Sequence, residues 1–182
     1  MILAGHRTWI FEQKPVILST GTVGGPFEAN GAIAEDFDLL HADLWLGQDS
    51  YEKAHKILFE EACQKAMEKG GIQKDQVQFI LAGDLINQIT PTSFASRTIG
   101  APYFGLFGAC STSMEGLALG AYIVNTKGAK YLLTGASSHA IRRLLSSITL
   151  SIKSIPSWLP TSLMTVLHAF AYSSVSNLSL CI

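Results

Sequence analysis

The sequence predicts an α/β fold around a mostly parallel sheet. Three observations carry that expectation. Apolar, β-branched runs alternate with segments of helical period from residue 15 to residue 139. Those runs are continuous in apolar residues, as strands covered on both faces must be. Each ends in small or turn-forming residues, which leaves room for a crossover to the next parallel strand. A chain of 182 residues, 48% hydrophobic and with a net charge of −1, has the material for a real core.

The first run, PVILSTGTVGGPF (15–27), reads as a buried strand followed by a tight turn at its glycine pair. Residues 28–48 mix Gly, Ala, Asp and aromatics without period, which predicts a loop with short helical pieces. DSYEKAHKILFEEACQKAMEKGG (49–71) is a helix: Ala54, Ile57, Leu58, Ala62 and Ala66 share a face and Gly70–Gly71 ends it. Asp49 or Ser50 can cap it, with Glu52 placed to complete a capping box from Asp49. VQFILAGDL (77–85) is a strand, TSFASRTIGA (92–101) a short helix and YFGLF (103–107) another strand. Met114, Leu117, Ala118, Ala121 and Val124 mark a helix over 113–125, and AKYLLTGASSH (129–139) a last buried strand.

Several function classes are disfavoured at once. Near-neutral charge removes the electrostatic case for nucleic acid. The segment MILAGHRTWIFEQK has no apolar run of signal-peptide length. Cys63, Cys110 and Cys181 are odd in number and widely spaced, with no C-x-x-C pair, so neither a zinc site nor a disulfide framework is expected. TGTVGG (20–25) lacks both the G-x-G-x-x-G spacing and a following Lys-Ser/Thr, so no nucleotide cofactor is expected.

The informative stretch is FGACSTSMEGL (107–117), where a strand turns into a helix around Cys110. Gly108 and Ala109 permit a sharp turn, and Thr112 with Glu115 spells a T-x-x-E capping box. A thiol beside a helix N-terminus gains nucleophilicity, and the free N–H groups of Ser111, Thr112 and Ser113 can hold an oxyanion or a carboxylate. The competing reading of Cys110 is a small buried hydrophobe. In open α/β sheets, ligands sit beyond the carboxyl ends of the strands. Parallel strands would bring Asp84, Cys110 and His139 to that one rim. Asp84 alone also suits a turn or cap, and His139 a structural hydrogen bond. Cys63, beside the core stripe of its helix, reads as packing.

FGACSTSMEGLALGAY resembles the cysteine segment of the thiolase-like superfamily, which includes ketoacyl synthases. Together with GHRTWIFEQKPVILSTGTVGGPFEANG, DLLHADLWLGQDSYEKAH, ILAGDLINQITPTSFASR and KYLLTGASSH, the chain resembles the stage V sporulation protein AD family of endospore-forming bacteria over nearly all of residues 3–139. The resemblance implies a thiolase-like, layered αβαβα fold of two similar halves, of which this chain carries the N-terminal one. It implies binding of dipicolinic acid and a part in its transport into the developing spore and its release at germination. The implied partners are other membrane and soluble proteins of one transport complex at the spore inner membrane, where the protein would be peripheral. In the superfamily's enzymes the residue matching Cys110 is an acylated nucleophile, and its catalytic helpers come from the second half. Acyl transfer is therefore the alternative reading, with Cys110 as its catalytic residue.

At residue 140 the character of the chain changes. Residues 1–139 hold fourteen Asp/Glu and all sixteen glycines, whereas 140–182 hold three Lys/Arg, no acid and no glycine. The expected organisation is a thiolase-like half, 1–139, joined to an atypical Ser/Leu-rich tail, non-native or poorly ordered, as a disrupted reading frame would produce. Pro156, Pro160 and His168 break the tail's apolar stretches below the ~20 residues of a membrane span. An exposed apolar face toward a missing half would allow a homodimer.

Overall fold

The computed structural model describes residues 1–86 and 89–138, with Cys110 as backbone, together with the backbone of a strand at 164–171. Eight strands and three helices follow one another among these residues. β1 (Ile2–Ala4) and β2 (Thr8–Ile10) form a small antiparallel hairpin. The main sheet contains β3 (Val16–Gly24), β4 (Leu39–Leu40), β5 (Phe79–Asp84), β6 (Tyr103–Gly105), β7 (Tyr131–Ser137) and β8 (Met164–Ala171). Their spatial order is β4-β3-β8-β7-β5-β6. The β3–β4, β5–β6 and β5–β7 pairs are parallel, whereas β8 runs antiparallel to both β3 and β7.

Helix α1 (Tyr51–Gly70) and helix α2 (Thr90–Ile99) cover one face, and α3 (Thr112–Asn125) covers the other. The strand alternation decides which side each residue serves. Ile80, Ala82 and Leu133 pack with Leu58, Phe59, Ala62, Ala95 and Ile99, while Leu81 and Leu132 pack with Leu117, Ala121 and Val124. α1 lies very close to β3: a Cβ on Gly21 would stand 2.2 Å from the Ala62 carbonyl oxygen. Only glycine permits that approach.

Local signals explain the helix ends. Ser50 is the N-cap of α1, its Oγ accepting from the Lys53 N–H at 3.3 Å. The Asp49–Glu52 box is not made, because Asp49 pairs instead with the Lys53 ammonium at 2.7 Å. Gly71, at φ 63°, closes the helix, and its N–H and that of Ile72 return to the Glu68 and Met67 carbonyls. Ile57 is half-buried, and the buried stripe instead takes in His55, Phe59 and Cys63. Among the described residues, no helix is long and apolar enough to cross a membrane.

Candidate functional site

The turn from β6 into α3 is built against β5. The Leu106 N–H donates to the Ala82 carbonyl at 2.9 Å, carrying the strand pairing one residue past β6. Gly83, next on β5, faces this corner. A Cβ there would stand 2.1 Å from the Leu106 carbonyl oxygen and 3.0 Å from Thr112 Cγ2. The absent side chain at Gly83 is what lets the corner sit on the sheet.

The chain then turns sharply at Ala109, whose φ is +49°, while Gly108 keeps an ordinary φ of −76°. The left-handed residue is thus an alanine directly before Cys110, a conformation that costs a non-glycine residue about 1 kcal/mol. A Cβ at Gly108 would meet the Glu115 carboxylate and Ser111 Oγ, so a larger residue there would displace those two side chains. Residues Ala109–Ser111 form one 3₁₀ turn, closed by the Ser111 N–H on the Gly108 carbonyl at 2.9 Å, and α3 begins at Thr112.

The expected Thr112–Glu115 capping box is not formed. Thr112 is already helical (φ −51°, ψ −41°) and buried, its methyl group resting toward Gly83, so its side chain serves packing. Ser111 occupies the N-cap position without a side-chain cap. Its Oγ lies 2.9 Å from both the Gly108 carbonyl and Glu115 Oε1. A carboxylate of the chain therefore stands over the first turn of α3, favoured there by the helix dipole. Any anionic ligand at this helix start must enter beside Glu115. Ser111 is exposed and Ser113 half-buried.

Asp84 ends β5 at the same edge, in register with Ser137 of β7. Its carboxylate, however, is turned to the α2 side. Oδ2 accepts from the Thr92 N–H at 3.3 Å and from Thr92 Oγ1 at 2.8 Å, and Oδ1 accepts from the Ile86 N–H at 3.3 Å. This caps the first turn of α2, which Ile89 enters at φ 68° with no cap of its own. Tyr103 Oη completes the group, 2.7 Å from Thr92 Oγ1 and 2.8 Å from the Ala82 carbonyl. Burial, with the nearby Asp84 charge adding to it, pushes the Tyr103 phenol up to about 12. Asp84 and the Cys110 corner thus share an end of the sheet but belong to opposite faces, because Gly83 and Asp84 alternate. His139 lies outside the described residues.

One polar pair at this edge went unforeseen. His55 of α1 is fully buried, and its Nε2 is hydrogen-bonded to Ser137 Oγ at the end of β7. The only sequence signal was position: His55 stands four residues before Phe59 on the face that meets the sheet. Cys63, on the same helix, is buried, and burial, reinforced by the Glu60 charge, raises its thiol well above the ordinary range.

With this geometry in place, the profile of the family described as stage V sporulation protein AD matches residues 5–143. The chain belongs to this family. The curated stage V sporulation protein AD of Bacillus subtilis (strain 168) is 38% identical over 139 residues, which are 76% of this chain and 41% of that protein. The chain thus spans about two fifths of its relative's length. Solved structures show the fold to be thiolase-like. The priming β-ketosynthase of the R1128 polyketide pathway superposes with a TM-score of 0.60 at 13% identity, covering 94% of this chain and 54% of the other. The 3-oxoacyl-[acyl-carrier-protein] synthase III of Aquifex aeolicus VF5 gives 0.59 at 14%, covering 88% and 55%. Cerulenin-bound OleA of Xanthomonas campestris gives 0.58 at 12%, covering 87% and 57%. These likenesses concern the fold, which places Cys110 at the sharp entry to α3.

Proposed function

We propose that this member of the family binds dipicolinic acid and takes part in moving it into the developing spore and releasing it at germination. Its partners in this proposal are the membrane and soluble proteins of one transport complex, met at the spore inner membrane, with a homodimer as a further association. Family membership over residues 5–143 is the observation that carries the reading.

Dipicolinate is a planar dianion with carboxylates flanking a ring nitrogen. The N–H groups of Ser111, Thr112 and Ser113 at the start of α3 suit one carboxylate, and His139 is assigned to the other. Cys110 lines the ligand between them. Asp84, already capping α2, faces a dianion only through a bridging cation such as calcium. Glu115 opposes the ligand directly.

Isothermal titration of the chain, and of a full-length relative, with dipicolinate tests this contact set. Cys110→Ala and His139→Ala should weaken binding, while Glu115→Gln should strengthen it by removing the competing charge. Unchanged affinity in all three variants would remove the corner from the site.

Acyl transfer through Cys110 is the second reading, favoured by the left-handed Ala109 that presents residue 110 at a helix start. Such chemistry needs a base and an oxyanion hole around the thiolate. The matched family is described as a sporulation protein rather than as an enzyme, which favours binding without catalysis. A stable acyl adduct on Cys110 after incubation with acyl-CoA, seen by mass spectrometry, would reverse that preference.

A further inference from the structure

The β1–β2 hairpin is apolar on both of its faces. Ile2 pairs across it with Ile10, and Leu3 with Trp9. Because side chains alternate along a strand, the first pair lies on one face and the second on the other. Ile2 is 54% exposed, Leu3 58%, Trp9 44% and Ile10 50%, and none of the four joins either core cluster. An antiparallel ribbon in water ordinarily keeps one face polar, so this exposure calls for an apolar surrounding. Trp9 is nevertheless anchored: its ring meets Phe11 at 6.4 Å and Tyr122 of α3 at 5.6 Å between centroids. The apolar surface thus continues onto the outside of α3, where Leu119 and Tyr122, three residues apart, are exposed. From Gly116 to Thr126 that helix carries no charged residue.

The charges bordering this surface are basic. Arg7 stands exposed in the hairpin turn. Lys14, also exposed, follows Gln13, whose N–H donates to Asn125 Oδ1 at 3.0 Å. That bond brings Lys14 to the end of α3, where Lys127 is exposed as well. The acid that follows the hairpin, Glu12, is paired with the Met1 ammonium at 2.7 Å. Glu115, the acid of α3, lies at the other end of the helix. Glu52, Glu60, Glu61 and Glu68 belong to α1, across the sheet. A net charge of −1 therefore hides an uneven distribution.

We infer that the hairpin and the adjoining outer face of α3 form a contact surface for an anionic lipid bilayer. Three features select this occupant. Immersion at headgroup level covers both faces of the ribbon at once, whereas a protein partner covers one. Trp9, anchored on one side and exposed on the other, suits the membrane–water interface, where tryptophan is enriched. Arg7, Lys14 and Lys127 complement anionic headgroups, while a second copy docked about a two-fold axis sets these like charges against one another. The polar turn of Gly5, His6 and Arg7 and the unpaired edges of the ribbon exclude it from the hydrocarbon core. The hairpin lies along the surface, about 5–10 Å deep. This goes beyond the preceding proposal, in which the partners are proteins and the ligand meets the Cys110 corner.

The test is co-sedimentation of the full chain with phosphatidylcholine vesicles, with and without about one third phosphatidylglycerol. Binding to the anionic vesicles is expected, with a blue shift of tryptophan emission that is absent in Trp9→Phe. Ile2→Ser combined with Ile10→Ser should weaken binding at least about tenfold, and Arg7→Gln about fivefold, the latter at low salt only. Arg7 is exposed and outside both core clusters, so its variant answers even where the double variant disturbs the hairpin. No sedimentation, equal binding to neutral vesicles, equal binding by the variants, or a blue shift that persists in Trp9→Phe would overturn the inference. Self-association in lipid-free buffer that buries Trp9 would give the surface to a second copy instead. The vesicles hold neither protein nor dipicolinate, so either reading can fail without the other.

Discussion

Gly83→Ala is the substitution that most directly tests how the corner is held. The added Cβ would meet the Leu106 carbonyl oxygen at 2.1 Å, against an ordinary contact of about 3.4 Å. Relief requires the backbone at Leu106 to retreat by roughly 1 Å, since the obstacle is a carbonyl rather than a flexible side chain. That movement breaks the Leu106–Ala82 hydrogen bond, worth about 1 kcal/mol, and adds an overpacking cost of about 1–3 kcal/mol. The expected destabilisation is about 2–4 kcal/mol, a large share of the ~5–15 kcal/mol that holds a domain together. Urea unfolding followed by circular dichroism measures it. Gly71→Ala is the control, because Gly71 has open space around a φ of +63°, so only the left-handed backbone is penalised, by about 1 kcal/mol. If Gly83→Ala cost no more than Gly71→Ala, the close approach would not be holding the corner.

Three other outcomes follow from the described side chains. His55→Ala removes a fully buried ring and leaves Ser137 without its partner, so it should cost about 2–4 kcal/mol in the same unfolding assay. Cys63, buried and with its thiol titration pushed upward, should resist iodoacetamide in the folded chain and react only in denaturant, as peptide mapping would show. The folded Tyr103 phenol titrates at about 12 against 10 for an ordinary one, so the fold holds that proton more tightly. Stability from this group is complete below pH 10 and is lost as pH rises toward 12. Tyr103→Phe should flatten that part of the pH–stability curve, measured by thermal melting.

The strands β3, β5, β6 and β7 and the three helices were legible because each carries its own periodicity and its own stop, whereas the β1–β2 hairpin and β4, two or three residues per strand, are too short to show a period. Ser50 and Gly71 mark α1 in the sequence as they do in the structure. The corner was legible as a location, from the change of period around Cys110. Its details were not, because they depend on what the sheet presents to it. Thr112 looks like a cap in one dimension, but contact with Gly83 commits its side chain to packing. Likewise the rim residues Asp84 and Ser137 fall at one edge, yet strand alternation turns Asp84 toward Thr92 and away from α3. Facing depends on register parity, and one residue reverses it. His55 was hidden for a related reason: a histidine on an apolar face announces no partner until β7 is laid beside α1.

β8 gives the last test, since it joins two parts of the sheet. Without it, β3 with β4 and β7 with β5 and β6 are separate ribbons joined by α1 across one face and, on the other, by Ile17 of β3 packing against the α3 cluster. β8 registers with β3 from Met164 to Ala171 and with β7 from Val166 to Ala171. The run MTVLHAFA is apolar and β-forming, although no strand was expected in the tail, and it lies beyond the residues matched to the family. Removing residues 140–182 therefore opens two interior strand edges. At about 1 kcal/mol net per ladder hydrogen bond, the loss on both sides amounts to several kcal/mol, comparable with the whole stability of a domain. The truncated chain should melt without a sharp transition and scatter light through its exposed edges. Cooperative melting within about 1 kcal/mol of the full chain would show that helix packing on the two faces suffices to hold the two ribbons, and that β8 adds little to the sheet it completes.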